Sequence, residues 1–182
     1  MVKKILKVVL ILVGIVIAIC LLLFGMIWAS MEWNRYAKAK EKIRYQKEVC
    51  DTITTVNETL QLKIFGFKEK ELKKVHFYLQ QGKLLKKDTI MKVDFNPKYA
   101  AQDVLLPFKY FDKKDRVIVK VSDRYFVLSG IRYYASYNYG MFGPVGSCDC
   151  GMGNFEFING KKDNSAMLTK EQGLLNDPLP TK

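Results

Sequence analysis

The run from Val8 to Ala29, VVLILVGIVIAICLLLFGMIWA, constrains this chain more than any other stretch. It holds twenty-two residues and no charged side chain. Wound as a helix it is about 33 Å long, enough to cross a hydrocarbon core of about 30 Å. Lipid offers backbone groups no solvent partner, so a spanning segment of this kind must be helical. A cleavable signal peptide would share the basic start at Lys3, Lys4 and Lys7, but its apolar stretch is about 7–15 residues long. Only Ala29-Ser30 resembles a small-residue cleavage site, and Ile19 before Cys20 does not suit a lipoprotein site. The expectation is an uncleaved anchor over 8–29, preceded by a basic tail over 1–7. Gly14 and Gly25 are too far apart for a GxxxG pairing face.

Orientation rests on two opposed signals. Arg35, Lys38, Lys40, Lys42, Arg44 and Lys47 follow the run and outnumber the bases before it, which points the carboxyl side toward the cytoplasm. The amino-terminal bases, however, abut the apolar run directly. On the other flank Trp28, Ser30, Met31, Glu32 and Trp33 intervene, and the two tryptophans suit an interfacial belt. The reading adopted is amino end inside and domain outside, in an inner (plasma) membrane crossed once.

Charge supports the lipid reading over a nucleic-acid one. Of the net charge of +12, half belongs to residues 1–44, where bases near the surface meet anionic headgroups at about 1 kcal/mol each. The remainder is spread over a domain of mixed sign, as in Asp112-Lys-Lys-Asp-Arg116, which reads as a solvated surface. No nucleic-acid partner is expected.

Residues 30–51 lack Gly and Pro and are rich in Ala, Lys, Glu and Arg, so the membrane helix is predicted to continue into a basic helical stem. Ala37, Glu41 and Tyr45 share a face that Glu41 interrupts. From Leu60 the period changes to two. Leu60, Leu62 and Ile64 form one half-buried strand, and Val75, Phe77 and Leu79 another, ended by the turn Gln81-Gly82-Lys83. Met91, Val93 and Phe95 follow, then an apolar stretch from Val104 to Phe111 that Pro107 demotes to an edge or bulge. Val117, Val119 and Val121 precede a turn at Ser122-Asp123-Arg124. Tyr125 to Tyr134 is apolar on both faces and reads as a central strand. Phe155 to Ile158 is a last strand, and residues 161–182 read as a polar tail in which Thr169-Lys-Glu-Gln172 caps a short turn. The predicted fold is mainly β: an antiparallel sandwich or partly closed barrel over 52–160.

One stretch stands out as a site. Tyr133 to Gly153, YYASYNYGMFGPVGSCDCGMG, has four tyrosines, five glycines and one charged residue. Tyr with Gly and Ser is the composition of adaptable binding loops, and long connections are often functional. The alternative is a twisted strand extension with tyrosines on a sheet face and glycines in turns. The expected partner-binding residues are Tyr133, Tyr134, Tyr137, Tyr139, Met141 and Phe142.

Cys50, Cys148 and Cys150 lie outside the span. In an oxidising compartment they are expected to pair, either Cys50 with Cys148 or Cys150, or Cys148 with Cys150; free thiols are the remaining case. A Cys₃His zinc site with His76, or Cu(I) at Cys148, Cys150 and Met152, lacks familiar spacing, and no metal or other cofactor is expected. Mechanisms needing histidine would have to use His76, the only one, and no GxSxG, phosphate-binding loop or HExxH occurs. No catalytic residue is assigned. The expectation is a membrane-anchored, extracytoplasmic binding module that meets a protein partner in the envelope and the bilayer through 8–29 and the stem. A toxin-neutralising immunity protein or an accessory subunit of an envelope complex are concrete forms. A thiol-redox or metal-handling role for the Cys148–Cys150 pair is the alternative.

Overall fold

The structure, a computed structural model, describes residues 2–163, 165 and 167–179, with side chains of the first helix described at residue 7 and from residue 9 onward. Lys3, Lys4 and the last three residues of the predicted tail therefore lie outside the described side chains. The first element, α1 (Val2–Glu48), is one unbroken helix of 47 residues. The absence of Gly and Pro after Gly25 lets the apolar run continue into the stem without a kink. Its most apolar window is wholly unburied, and Leu10, Leu21 and Phe24 are each more than 60% exposed. This is one helix long and apolar enough to cross a membrane.

Eleven strands follow among the described residues. They are β1 (Thr55–Val56), β2 (Gln61–Phe65), β3 (Lys74–Gln81), β4 (Leu84–Lys92), β5 (Ala101–Leu105), β6 (Phe111–Asp112), β7 (Arg116–Val121), β8 (Arg124–Gly140), β9 (Gly143–Ile158), β10 (Lys161–Lys162) and β11 (Met167–Thr169). A one-turn helix, α2 (Glu69–Leu72), separates β2 from β3. A six-stranded sheet runs β10-β9-β8-β7-β3-β4, a three-stranded sheet runs β11-β2-β5, and β1 pairs with β6. Strand dominates the chain beyond the helix, as the period-two pattern predicts.

The chain falls into two compact units. The first holds residues 1–46 and 135–149; the second holds residues 47–134 and 150–182. The second carries the core. Leu62 and Ile64 of β2 are buried while Gln61, Lys63 and Phe65 face out, which is the alternation read from sequence. Phe77 pairs with Val119, and Val119 with Phe126, so three fully buried side chains form one row across β3, β7 and β8. Ile118 and Tyr125 are also buried, so these inner strands are covered on both faces. The three-stranded sheet adds Leu62, Ile64, Val104 and Leu168 to the same apolar cluster.

Three expectations need correction. The predicted strand Met91 to Phe95 leaves the ladder at Lys92, although Val93 and Phe95 still pack on the core. The region from residue 161 is not simply a tail. In β11, Leu168 is fully buried and pairs in parallel with Ile64, so the sheets are not purely antiparallel. Leu174 exchanges two backbone hydrogen bonds with Tyr125, at 2.9 and 2.8 Å, and the Tyr125 hydroxyl donates to Asp177. The predicted cap at Thr169 is present, with Gln172 completing the box. Finally, 133–153 is not a loop. It forms the ends of β8 and β9, joined at Met141-Phe142, which matches the strand-extension alternative.

Candidate functional site

The bridge between Cys50 and Cys150 closes the cysteine question. Cys50 follows α1 directly and is fully buried; Cys150 lies in β9. Cys148 is unbridged and buried, so Cys148 and Cys150 do not form a free dithiol in this structure. No group of three His, Cys, Asp or Glu side chains suited to a metal occurs among the described residues. His76 stacks on Tyr78 in β3, with ring centroids 6.4 Å apart.

The first unit brings together four of the expected site residues: Tyr137, Tyr139, Met141 and Phe142. The strand period decides which way each faces. Ala135, Tyr137 and Cys148 are buried, while Ser136, Asn138 and Tyr139 are exposed. Against the buried face lies the side of α1 on which Met31, Lys38, Glu41, Tyr45 and Gln46 are half-buried. The Ala135 N–H donates to Gln46 Oε1 at 2.8 Å. Lys38 Nζ donates to Glu41 Oε2 at 3.2 Å and to the Gly146 carbonyl at 3.3 Å, and sits 4.7 Å over the Tyr137 ring.

The Tyr137 hydroxyl is buried beside the Glu41 carboxylate and the Cys148 thiol. Its contact with Glu41 is loose, outside the geometry of a well-formed hydrogen bond. Burial first, and then the neighbouring Glu41 carboxylate, hold the Tyr137 phenol well above its ordinary range. The contact with Tyr137 first, and then Lys38, hold the Glu41 carboxyl below its ordinary value. The phenol therefore stays neutral and the carboxylate stays charged at neutral pH, so this cluster fixes the hairpin on the stem.

The strand ends descend α1 from there. Gly143, at φ +120°, faces Arg35, where an added Cβ would sit 3.6 Å from Arg35 Cγ. Arg35, Lys38, Lys42, Tyr137, Tyr139 and Met141 line a groove of about 520 Å³. Phe142 lines a second, shallow cleft together with Met26, Ile27, Ser30 and Met31. Tyr139, Met141 and Phe142 are 76%, 91% and 63% exposed.

Tyr133 and Tyr134 belong to the second unit. Tyr133 is buried and its hydroxyl donates to the Thr55 carbonyl at 3.4 Å. Tyr134 is half-exposed and donates to Glu156 Oε1 at 3.0 Å, while Arg132 holds the other Glu156 oxygen at 3.0 Å. Gly153 is needed here, because a Cβ would lie 2.5 Å from the Tyr134 ring. Of the six expected binding residues, Tyr133 and Tyr137 thus serve packing, and Tyr134, Tyr139, Met141 and Phe142 present surface. Sequence reading missed Lys38 and Glu41 as members of the cluster. Their opposite charges three residues apart on the stem were the available signal.

Set against family models, curated proteins and solved structures, the chain matches none of them.

Proposed function

We propose that this chain is a single-pass protein of an inner (plasma) membrane whose folded domain lies outside the cytoplasm and acts by binding another protein. In this reading the six- and three-stranded sheets that share the apolar cluster are the two layers of a sandwich. The observation that supports binding is the exposure of two strand tyrosines, Tyr139 in the first unit and Tyr134 in the second, the latter held by its hydrogen bond to Glu156. Large amphipathic rings held in place recognise a protein partner at low entropic cost. The Cys50–Cys150 bridge supports an oxidising compartment and so an outward domain. An immunity protein that intercepts an envelope-acting toxin, or an accessory subunit of an envelope complex, has this organisation.

The test is site-specific photo-crosslinking in intact membranes, with the crosslinker substituted at Tyr139 and, separately, at Tyr134. A discrete crosslinked protein at either position supports the reading. Crosslinks to no protein at either position would remove its site.

A further inference from the structure

We infer that the β8–β9 hairpin tip is a second membrane contact, with Met141 and Phe142 seated in the lipid interface beside α1. The inference rests on the reading of α1 as a membrane span and concerns what covers the tip, which that reading leaves open.

Three observations carry it. The first is level. Down the helix, Ala135 meets Gln46, Gly146 meets Lys38, Gly143 meets Arg35, and Phe142 lines one cleft with Met26, Ile27, Ser30 and Met31. The hairpin therefore follows α1 over about 25 Å and brings its tip to the level where the apolar run ends, at Ala29. A side chain beside Met26 is about one helical turn inside that boundary. Once α1 is in a bilayer, a group at its side there is in lipid as well.

The second is composition. A two-residue hairpin turn in water favours Asn-Gly or Asp-Gly, because the turn is exposed. Here the turn is Met-Phe, and both side chains are bare. Gly140 to Ser147 carries no charge. The flanking Gly143, at φ +120°, supplies the backbone freedom that the turn residues themselves lack, so the sequence keeps apolar bulk at the tip.

The third is the order of side chains along the axis. Trp28 and Trp33 are exposed aromatics of the kind that gathers at a membrane interface. Arg35, Lys38 and Lys42 follow in the groove just beyond, at the depth of anionic headgroups. Apolar tip, aromatic ring and basic groove succeed one another as the layers of a bilayer surface do. The consequence is a first unit that meets the membrane at two points, the helix and the tip.

The experiment uses the full chain in phosphatidylcholine–phosphatidylglycerol nanodiscs, in a Cys20→Ala, Cys148→Ser background that keeps the native bridge. An environment-sensitive fluorophore is attached at Met141→Cys, at Leu22→Cys as the lipid reference, and at Tyr110→Cys as the water reference. Retention of the Cys50–Cys150 bridge and of the β-sheet spectrum shows that each variant is folded. The expected result is loss of Met141 fluorescence to a lipid carrying a nitroxide high on its acyl chain, with protection from aqueous iodide. Iodide quenching equal to that at Tyr110, with no effect of the lipid nitroxide, would overturn the inference. Protection from both quenchers would overturn it too, in favour of a second copy covering the tip. A Leu22 label untouched by lipid nitroxide would instead defeat the membrane reading beneath it.

Discussion

Reducing the bridge between Cys50 and Cys150 should lower the stability of the domain by a large fraction of its total. The bridge closes a loop of 100 residues. On the chain-entropy model a loop of that length is worth about 4.7 kcal/mol, because the cross-link restricts the unfolded chain far more than the folded one. A domain of ordinary stability has about 5–15 kcal/mol in hand. At about 4 °C per kcal/mol for a domain of this size, the midpoint should fall by about 15–20 °C. The clean perturbation is the double variant Cys50→Ser, Cys150→Ser. Changing Cys50 alone frees the Cys150 thiol two residues from Cys148 and allows a new bond. The assay is thermal unfolding in detergent followed by far-ultraviolet circular dichroism at the β-sheet band, with the wild type under reducing conditions alongside. A shift below about 5 °C in both samples would refute the reasoning, since the loop would then be closed by other means.

Other consequences are equally direct. Phe77→Ala removes a fully buried ring from one end of the Phe77–Val119–Phe126 row and should cost about 3–5 kcal/mol, read from chemical denaturation. Gly130→Ala meets both a positive φ of +78° and a contact of 2.8 Å with the Phe157 ring, whereas Gly160→Ala at φ +76° meets open space. The first should cost clearly more than the about 1–2 kcal/mol of the backbone term that both share, and equal losses would show that the ring gives way. The Glu41 carboxyl is depressed in the folded state, so it contributes stability above its unfolded value, near 4.5, which is lost as the pH falls through the lower folded value. Hydrogen exchange of amides 135–149 should therefore quicken as the pH is taken below about 4.5, after correction for intrinsic rates, and Glu41→Gln should flatten that dependence. A Glu41→Gln profile identical to the wild type would remove the carboxylate from the account.

Much of the core is legible in local periodicity. Leu62 and Ile64, then Val75, Phe77 and Leu79, alternate with polar neighbours, and a strand with one buried face needs that pattern. The apolar run declares itself for the same local reason. What periodicity cannot convey is pairing between distant segments. Leu168 stands with Met167 in a short apolar patch of a mostly polar stretch, and its burial depends on a parallel partner, Ile64, about a hundred positions away. The stretch from Tyr133 to Gly153 is dense in glycine, which reads as loop. Yet Ala135 and Tyr137 alternate with Ser136 and Asn138 in a proper strand period, and this was the signal for the hairpin. Lys38 and Glu41 were legible as a helix pair but not as inward-facing, because what they face is supplied by Tyr137 and Gly146 from far along the chain. Tyr133 and Tyr137 were expected to bind a partner because Tyr with Gly and Ser is the composition of a binding loop; strand parity buried them.

The account depends most on an outward-facing, disulfide-tied domain. The direct measurement is labelling with a membrane-impermeant maleimide on intact cells whose outer barrier has been permeabilised. It uses the wild type, with and without prior reduction, and a Tyr110→Cys variant, whose position is 69% exposed. The account predicts that wild type labels only after reduction, because Cys148 is buried and Cys20 lies in the span, and that Tyr110→Cys labels at once. Tyr110→Cys that labels only after the inner membrane is broken would contradict the account and turn the domain to the cytoplasm.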